Sequence, residues 1–365
     1  MRNEKISSRQ LWFILFMMRS TIIVANLPVL TSADALQDAW MSALITFAGS
    51  ELLVFLIALL CSKFPDKTLV EFSNLLLGRW LGSLPVLVFL WVLLQISVVD
   101  IRIYGEVLVT GFFPNTPLLF IISLMVLPAT LCVLQGVEVL ARAADVLFFL
   151  FVVMLLATVL IPIKIFNYYN LQPVLVRGWG PVIRGSITPI ALISQVWVLG
   201  MLTPVLNSPR KVVKIALTSI GLSLLVLAAV AFITIGALSP QEASRAIFPL
   251  LTLIRSVQLT SFLQRLEVLL IFSWGFGIFI TVSTFLYCGA RGFSQFLGFS
   301  DHKHLVWPMA TIWAFMAVHG FRSSVALDTF LSPENYALYG YSVLVGPLIL
   351  LWLGYFWQRQ IKGRD

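Results

Sequence analysis

The chain is predicted to be an all-α membrane protein with ten transmembrane helices. Composition, run length and charge placement predict it. Of 365 residues, 59% are hydrophobic and 11% are charged, against about 25% charged in an ordinary soluble domain. So few charges cannot cover the surface of a soluble fold of this length. That excludes a cytosolic enzyme, a nucleic-acid binder and a disordered chain. Apolar runs of about 20 residues recur along the chain, and in lipid such runs form helices because the backbone must satisfy its own hydrogen bonds. The net charge of +8 sits mostly in short loops between those runs, as a membrane topology requires.

The predicted spans cover residues 10–30, 39–61, 84–109, 118–134, 141–163, 187–206, 212–237, 266–290, 305–321 and 337–357. The first run has neither a short apolar core nor a cleavage site, so it reads as an uncleaved span rather than a signal peptide. With both termini placed in the cytoplasm, fifteen Lys and Arg residues fall on the inner side and seven on the outer. That asymmetry orients the bundle and agrees with an even number of crossings. Cys61, Cys132 and Cys288 all lie in or beside apolar runs and form no metal or disulfide pattern.

Two outer connections are longer than a hairpin needs. Residues 164–186 carry Tyr168, Tyr169 and Trp179 with three cations. Residues 238–265 open Ser239-Pro240-Gln241-Glu242, a helix start with Pro at the first helical position. Ile247, Leu250, Leu251 and Ile254 follow at helical spacing, which predicts an interfacial helix over the membrane face.

Charges inside spans are expensive and mark a site or a pair. Arg19 lies mid-span one and Glu51 mid-span two; Asp100, Arg102 and Glu106 lie in the outer half of span three. Arg102 and Glu106 are four apart and can pair on one helix face, as can Arg142 and Asp145 at three apart. Asp100 and Arg102 are two apart, point in different directions and need separate partners. Arg19 requires the bundle interior, a cavity, or a carboxylate such as Glu51.

Helix breakers add a second signal. Span one carries Arg19-Ser20-Thr21, then Asn26 and Pro28; span six carries Thr188-Pro189, Ser194-Gln195, Gly200 and Pro204. These are the first helices of two five-helix halves. Interruptions at matching positions point to an inverted repeat with a midplane site, one repeat over about 10–163 and the other over about 187–357, within a single membrane domain. An unwound segment frees N–H and C=O groups, half-helix N-termini attract a carboxylate, and Ser20, Thr21 and Ser194 add hydroxyls. Helix packing alone also favours Gly, Ser, Thr and Pro in membrane helices. His302 and His304 are spaced poorly for a helical metal site. No HExxH, P-loop or GxSxG motif occurs, so neither a metal, a cofactor nor an enzyme is expected.

Several blocks resemble the B-subunit family of endospore germination receptors, spore-germination permeases of the amino acid–polyamine–organocation superfamily. They are Ser8-Arg9-Gln10-Leu11; Gln37-Asp38-Ala39-Trp40; Arg142-Ala143-Ala144-Asp145-Val146-Leu147; Leu171-Gln172-Pro173-Val174-Leu175 with Gly178 and Pro181-Val182; Pro204-Val205-Leu206-Asn207 with Lys211; and Phe248-Pro249-Leu250-Leu251 through Phe262-Leu263-Gln264-Arg265-Leu266-Glu267 to Trp274 and Phe285-Leu286-Tyr287. The resemblance covers nearly the whole chain. It implies a ten-helix, five-plus-five inverted-repeat transporter fold of the LeuT type, with discontinuous helices one and six. It also implies a nutrient-sensing subunit of the spore inner membrane, working with an A subunit and a lipoprotein C subunit. The germinant would be a small molecule, often an amino acid, held between spans one, three, six and eight.

Two departures stand out. Where relatives carry a Gly-rich break of the type G-S-G-I, this chain has Arg19-Ser20-Thr21-Ile22; where they carry Gly-Glu nine residues before a Pro, it has Ser194-Gln195 before Pro204. Gln195 cannot titrate, so ligand binding without proton-coupled turnover is expected. The expected ligand-binding residues are Ser20, Thr21, Asp100, Tyr104, Ser194 and Gln195, with Arg19 supplying charge and Trp197 and Trp274 as walls. The rival expectations are an active amino-acid permease and a structural scaffold with a degenerate pocket.

Overall fold

A computed structural model describes residues 4–25, 34–246, 248–257, 266–321 and 324–362. Ten helical segments among these residues fall on the ten predicted runs. The first five are α1 (Ser8–Ala25), α2 (Ala39–Lys63), α3 (Leu69–Gly111), α4 (Leu118–Leu134) and α5 (Val137–Leu160). The sixth begins as α6 (Trp179–Ala191), tightens to a 3-10 segment over Leu192–Val198, resumes as α7 (Leu199–Leu202) and closes in a second 3-10 turn over Thr203–Val205. Then come α8 (Val212–Leu238), α11 (Glu267–Leu297), α12 (Lys303–His319) and α14 (Pro333–Lys362), with α9 (Pro240–Arg245), α10 (Pro249–Ser256) and α13 (Ser324–Leu331) in the connections. Seven of the helical segments are long and apolar enough to cross a membrane. This is a multi-pass membrane protein.

α3 shows how length is managed. Its 43 residues would make a rod of about 65 Å at 1.5 Å per residue, twice the hydrocarbon thickness of about 30 Å. Gly78 at φ +75° interrupts it, a left-handed conformation that glycine reaches without a Cβ penalty. The segment before the break is anchored by a capping box. Thr68 Oγ1 accepts from Glu71 N, and the Glu71 carboxylate accepts from Thr68 N at 2.7 Å.

The eighth span, α11, is the central post. It packs on α1, α3, α4, α5 and α12, while α8 lies against α1 and α2, and α14 against α3 and α6. Along α11, Gly275, Gly277, Ser273, Thr281, Ser283 and Thr284 are buried; small residues let backbones approach closely where lipid gives no hydrophobic drive. Lipid-facing surface stays apolar: Leu124, Phe149, Leu353 and Trp357 are exposed. The three cysteines are free and buried.

The expected interfacial helix is two short helices. Ser239 caps α9, accepting from Glu242 N at 3.4 Å, and Pro249 opens α10 at its first turn. Leu250, Leu251 and Ile254 are buried against the bundle, where α10 meets α8 and α11. The apolar face expected to meet lipid therefore covers protein. Ile247 lies outside the described residues.

Residues ahead of α1 form a strap. Ile6 makes a parallel bridge with Leu206: Ile6 N donates to Val205 O at 2.8 Å and Asn207 N to Ile6 O at 2.9 Å. The Glu4 carboxylate accepts from Val137 N at 3.0 Å, capping α5. It rests on Gly136, which at φ +101° has no Cβ to block it. The expected Arg142–Asp145 pair does not form. Asp145 instead meets Arg9 at 3.2 Å and accepts from Gln10 Nε2 at 2.8 Å, and Arg142 turns to Glu138 at 3.7 Å. Asp145 thus joins α5 to the start of α1, a partner that local spacing cannot reveal.

His302 sits near this strap. Its ring lies edge-on to Tyr287 at 5.6 Å, its Nε2 is enclosed without a partner, and Asp301 approaches its Nδ1 to 3.8 Å. Burial lowers its pKa; Arg291 and Lys303 act in the same direction, while Asp301 and Glu4 oppose. The unfolded chain therefore binds the proton more readily, so His302 favours the fold above its ordinary pKa of about 6.5 and loses that contribution as the pH falls. Thermal unfolding in detergent is expected to move to lower temperature below about pH 6.5. His302→Gln should reduce that dependence; an unchanged profile would reject this assignment.

Candidate functional site

The two spans that carry helix breakers behave differently. In span six the change from α to 3-10 geometry occupies seven residues, Leu192–Val198, all buried. A mid-helix 3-10 stretch shifts the carbonyl ladder and commonly marks a hinge or a strained functional segment. In span one the backbone is α-helical through Arg19, Ser20 and Thr21 as far as Ala25, so the interruption does not fall on those three residues. Asn26 and Pro28 lie outside the described residues.

Arg19 explains how the two spans meet. Its side chain is 1% exposed. Its Nη2 donates to Pro189 O at 3.2 Å and its Nη1 to Leu192 O at 3.4 Å. Those carbonyls end α6, where the helix leaves acceptors unsatisfied and its dipole is negative. Glu51, the carboxylate suggested as its partner, lies instead between α2 and α8, close to Gly221.

The remaining expected residues are buried polar groups without internal partners. Ser20 Oγ, Asp100 Oδ2, Ser194 Oγ and Gln195 Oε1 are enclosed and make no hydrogen bond; so is Arg19 Nε. Most buried polar atoms in proteins are satisfied, so each unsatisfied one calls for an occupant or a water. Thr21 differs: its Oγ1 donates to Met17 O at 2.6 Å, back into its own helix. Tyr104 packs edge-on to Trp274 of α11 at 5.4 Å, linking spans three and eight. Trp197 is buried at the end of the 3-10 segment with its Nε1 also unpartnered.

Arg102 and Glu106 pair as their spacing predicts, at 2.6 Å. Arg102 Nη1 also donates to Ala317 O at 3.1 Å and Val318 O at 2.6 Å, capping the end of α12. Two residues that sequence reasoning passed over join the set. Ser97 Oγ, one turn before Asp100, is enclosed and unpartnered, and so is the Tyr336 hydroxyl on α14. Tyr336 is within Coulombic range of Asp100 and packs close to Gly340, which also adjoins Ala191 at the end of α6. A tyrosine near a span end ordinarily reads as an interfacial anchor, and nothing local distinguishes one that turns inward.

The motif blocks themselves are joined across the fold. Asp38 is 3% exposed and its carboxylate accepts from Leu175 N at 3.0 and 3.1 Å; Gln37 Nε2 donates to Pro173 O at 3.0 Å. Arg9 and Gln10 meet Asp145, and the Val205–Asn207 stretch meets Ile6, as described above. These blocks staple distant parts of the bundle together.

Comparison with known proteins agrees with the architecture. MhsT in complex with L-phenylalanine superposes with a TM-score of 0.72 at 15% identity, over 94% of this chain and 89% of that one. A substrate-bound, outward-open Na+-coupled sialic acid symporter gives 0.71 at 11% identity, over 96% and 79%. At those identities the likeness concerns the fold, which is the LeuT-type transporter fold. In sequence, spore germination protein KB of Bacillus subtilis (strain 168) is 29% identical over 315 residues, 85% of this chain and 83% of its own. Spore germination protein YndE of the same organism is 27% identical over 80% and 81%. Residues 5–324 match the permease family described as spore germination protein. Because that match runs from the strap ahead of α1 through the capped end of α12, and takes in the blocks that staple the bundle, the chain belongs to the spore germination protein family of permeases.

Proposed function

We propose that the chain is the germinant-sensing, transporter-like subunit of a spore germination receptor, and that it binds a small molecule such as an amino acid near the membrane midplane. The observation that carries this reading is the 3-10 segment Leu192–Val198, which leaves Ser194 Oγ and Gln195 Oε1 enclosed and unpartnered in the middle of span six. Ser20, Thr21, Asp100 and Tyr104 complete the ligand surface from spans one and three, and Arg19 holds the end of α6 in register with span one. Family membership and the transporter fold support the same assignment. Ligand binding favours one of two packings of the bundle, by as much as the ligand's affinity differs between them.

In this reading the subunit lies in the spore inner membrane with both termini in the cytoplasm, and an A subunit and a lipoprotein C subunit receive the signal. Repeats over about 10–163 and 187–357 form the two halves. Gln195 has no titratable proton, so binding proceeds without proton-coupled turnover.

The test is made in the assembled receptor. Spores carrying Ser20→Val with Thr21→Val are expected to need at least about tenfold more germinant for half-maximal response, the cost of about one buried hydrogen bond. An unchanged requirement would favour a scaffold with a degenerate pocket. Substrate uptake or proton flux by this chain alone in proteoliposomes would favour an active permease.

A further inference from the structure

The buried charges of spans one and three do not balance in place. Arg19 and Arg102 are 1% and 7% exposed, and each guanidinium donates to backbone carbonyls. Arg19 uses both terminal nitrogens on Pro189 O and Leu192 O. Arg102 is held by Glu106 and by the carbonyls of Ala317 and Val318. Asp100, 9% exposed, takes part in none of the ion pairs among the described residues. Its Oδ2 is enclosed and meets no donor. Arg102 lies only two residues on, but that offset sends it to the opposite side of the helix, toward α12. An ionised carboxylate left alone in a membrane interior costs several kcal/mol.

The groups nearest in register to Asp100 are also unsatisfied and carry no positive charge. Ser97 is three residues earlier on the same helix face, and its Oγ has no partner. Tyr336, 0% exposed, is within Coulombic range of Asp100 and its hydroxyl has no partner either. A carboxylate oxygen and two hydroxyl oxygens form an acceptor set, and a primary ammonium is a compact cation with three N–H donors. A carboxylate ligand fits poorly. It would place a second negative charge beside the Asp100 carboxylate.

We propose that Asp100 is the counter-ion for an organic ammonium group, with Ser97 and Tyr336 accepting its remaining hydrogen bonds, so that the ligand is recognised by its amine and its carboxylate is dispensable. This rests on reading the buried polar cluster as the ligand site, and it adds the chemical class that the site selects.

Matched sets of three compounds, each set sharing a carbon skeleton, test it on the full chain in nanodiscs: L-alanine, ethylamine and propanoate; L-phenylalanine, phenethylamine and 3-phenylpropanoate. Binding is read by calorimetry and thermal shift. In a set that binds, the amine is expected to stay within about tenfold of the amino acid, and the deaminated acid is expected not to bind. Asp100→Asn should weaken the amine at least about 30-fold, the scale for breaking a buried charge pair, and Asp100→Glu should restore part of the loss. Deaminated acids binding as well as amines, or Asp100→Asn binding unchanged, would overturn the ammonium assignment while leaving the site standing. Failure of every compound to bind the native chain would also overturn it; if the Ser20 and Thr21 double variant left germination unaffected as well, the site reading would fall with it. Should Asp100→Asn not fold, the amine-against-acid comparison on the native chain still decides.

Discussion

Replacing Arg19 by Leu is expected to cost about 3 kcal/mol of stability. Leucine is shorter and has no donor, so the carbonyls of Pro189 and Leu192 lose the two bonds the guanidinium makes, at about 1.5–3 kcal/mol each for a bond to a charged group. It also removes a positive charge from the negative end of α6. Arg19→Lys should fall between the two, because an ammonium is a single point charge and cannot bridge both oxygens as a planar fork does. The measurement is thermal unfolding of the purified chain in detergent at matched lipid content. If Arg19→Leu unfolds at the native temperature, the guanidinium is not what holds spans one and six together, and its burial needs another account.

A methyl group at Gly277 is expected to be nearly as damaging. A Cβ there would come within 1.9 Å of Thr21 Oγ1 and 3.1 Å of Phe151, so α1 and α11 must separate or Thr21 must turn. Turning is obstructed because Thr21 Oγ1 is bonded to Met17 O. Overpacking of this kind costs about 1–3 kcal/mol, and the yield of folded protein should drop with it. Thr21→Ala in the same chain removes the closest clashing atom and should recover much of the loss. A double-mutant cycle on unfolding temperature measures that coupling. Additive losses would show that spans one and eight are not in contact at this point.

The sequence revealed the bundle and only part of its interior. Among the described residues a helix lay on each apolar run, seven of them long and apolar enough to cross a membrane, because lipid imposes one solution on such runs. The Arg102–Glu106 pair was legible for a similarly local reason, being one helical turn apart. Arg142 and Asp145 looked just as convincing and did not pair. Their competitors, Arg9 and Gln10, come from the chain's beginning, and no local rule weighs a partner that distant. Arg19 was read correctly as buried, but its partners are backbone carbonyls. These lie where α6 gives way to a tighter helix at Leu192, a change the Ser194-Gln195 breaker hinted at without locating. Ser97 and Tyr336 went unnoticed because a serine in a membrane helix and a tyrosine near its end are both commonplace. Only the bundle shows that both hydroxyls are enclosed without a partner.

The bridge between Ile6 and Leu206 has a mechanical consequence. The tail of the sixth crossing and the leading residues of the protein move as one body, stitched by two backbone bonds, while the irregular coil at Leu192–Val198 lies only a few residues upstream. Any re-winding of that coil is coupled through those two backbone bonds to the residues that lead into α1. Glu4 carries the same coupling across to the start of α5. The machinery thus has a short linkage from its deep interior to the residues that lead into α1.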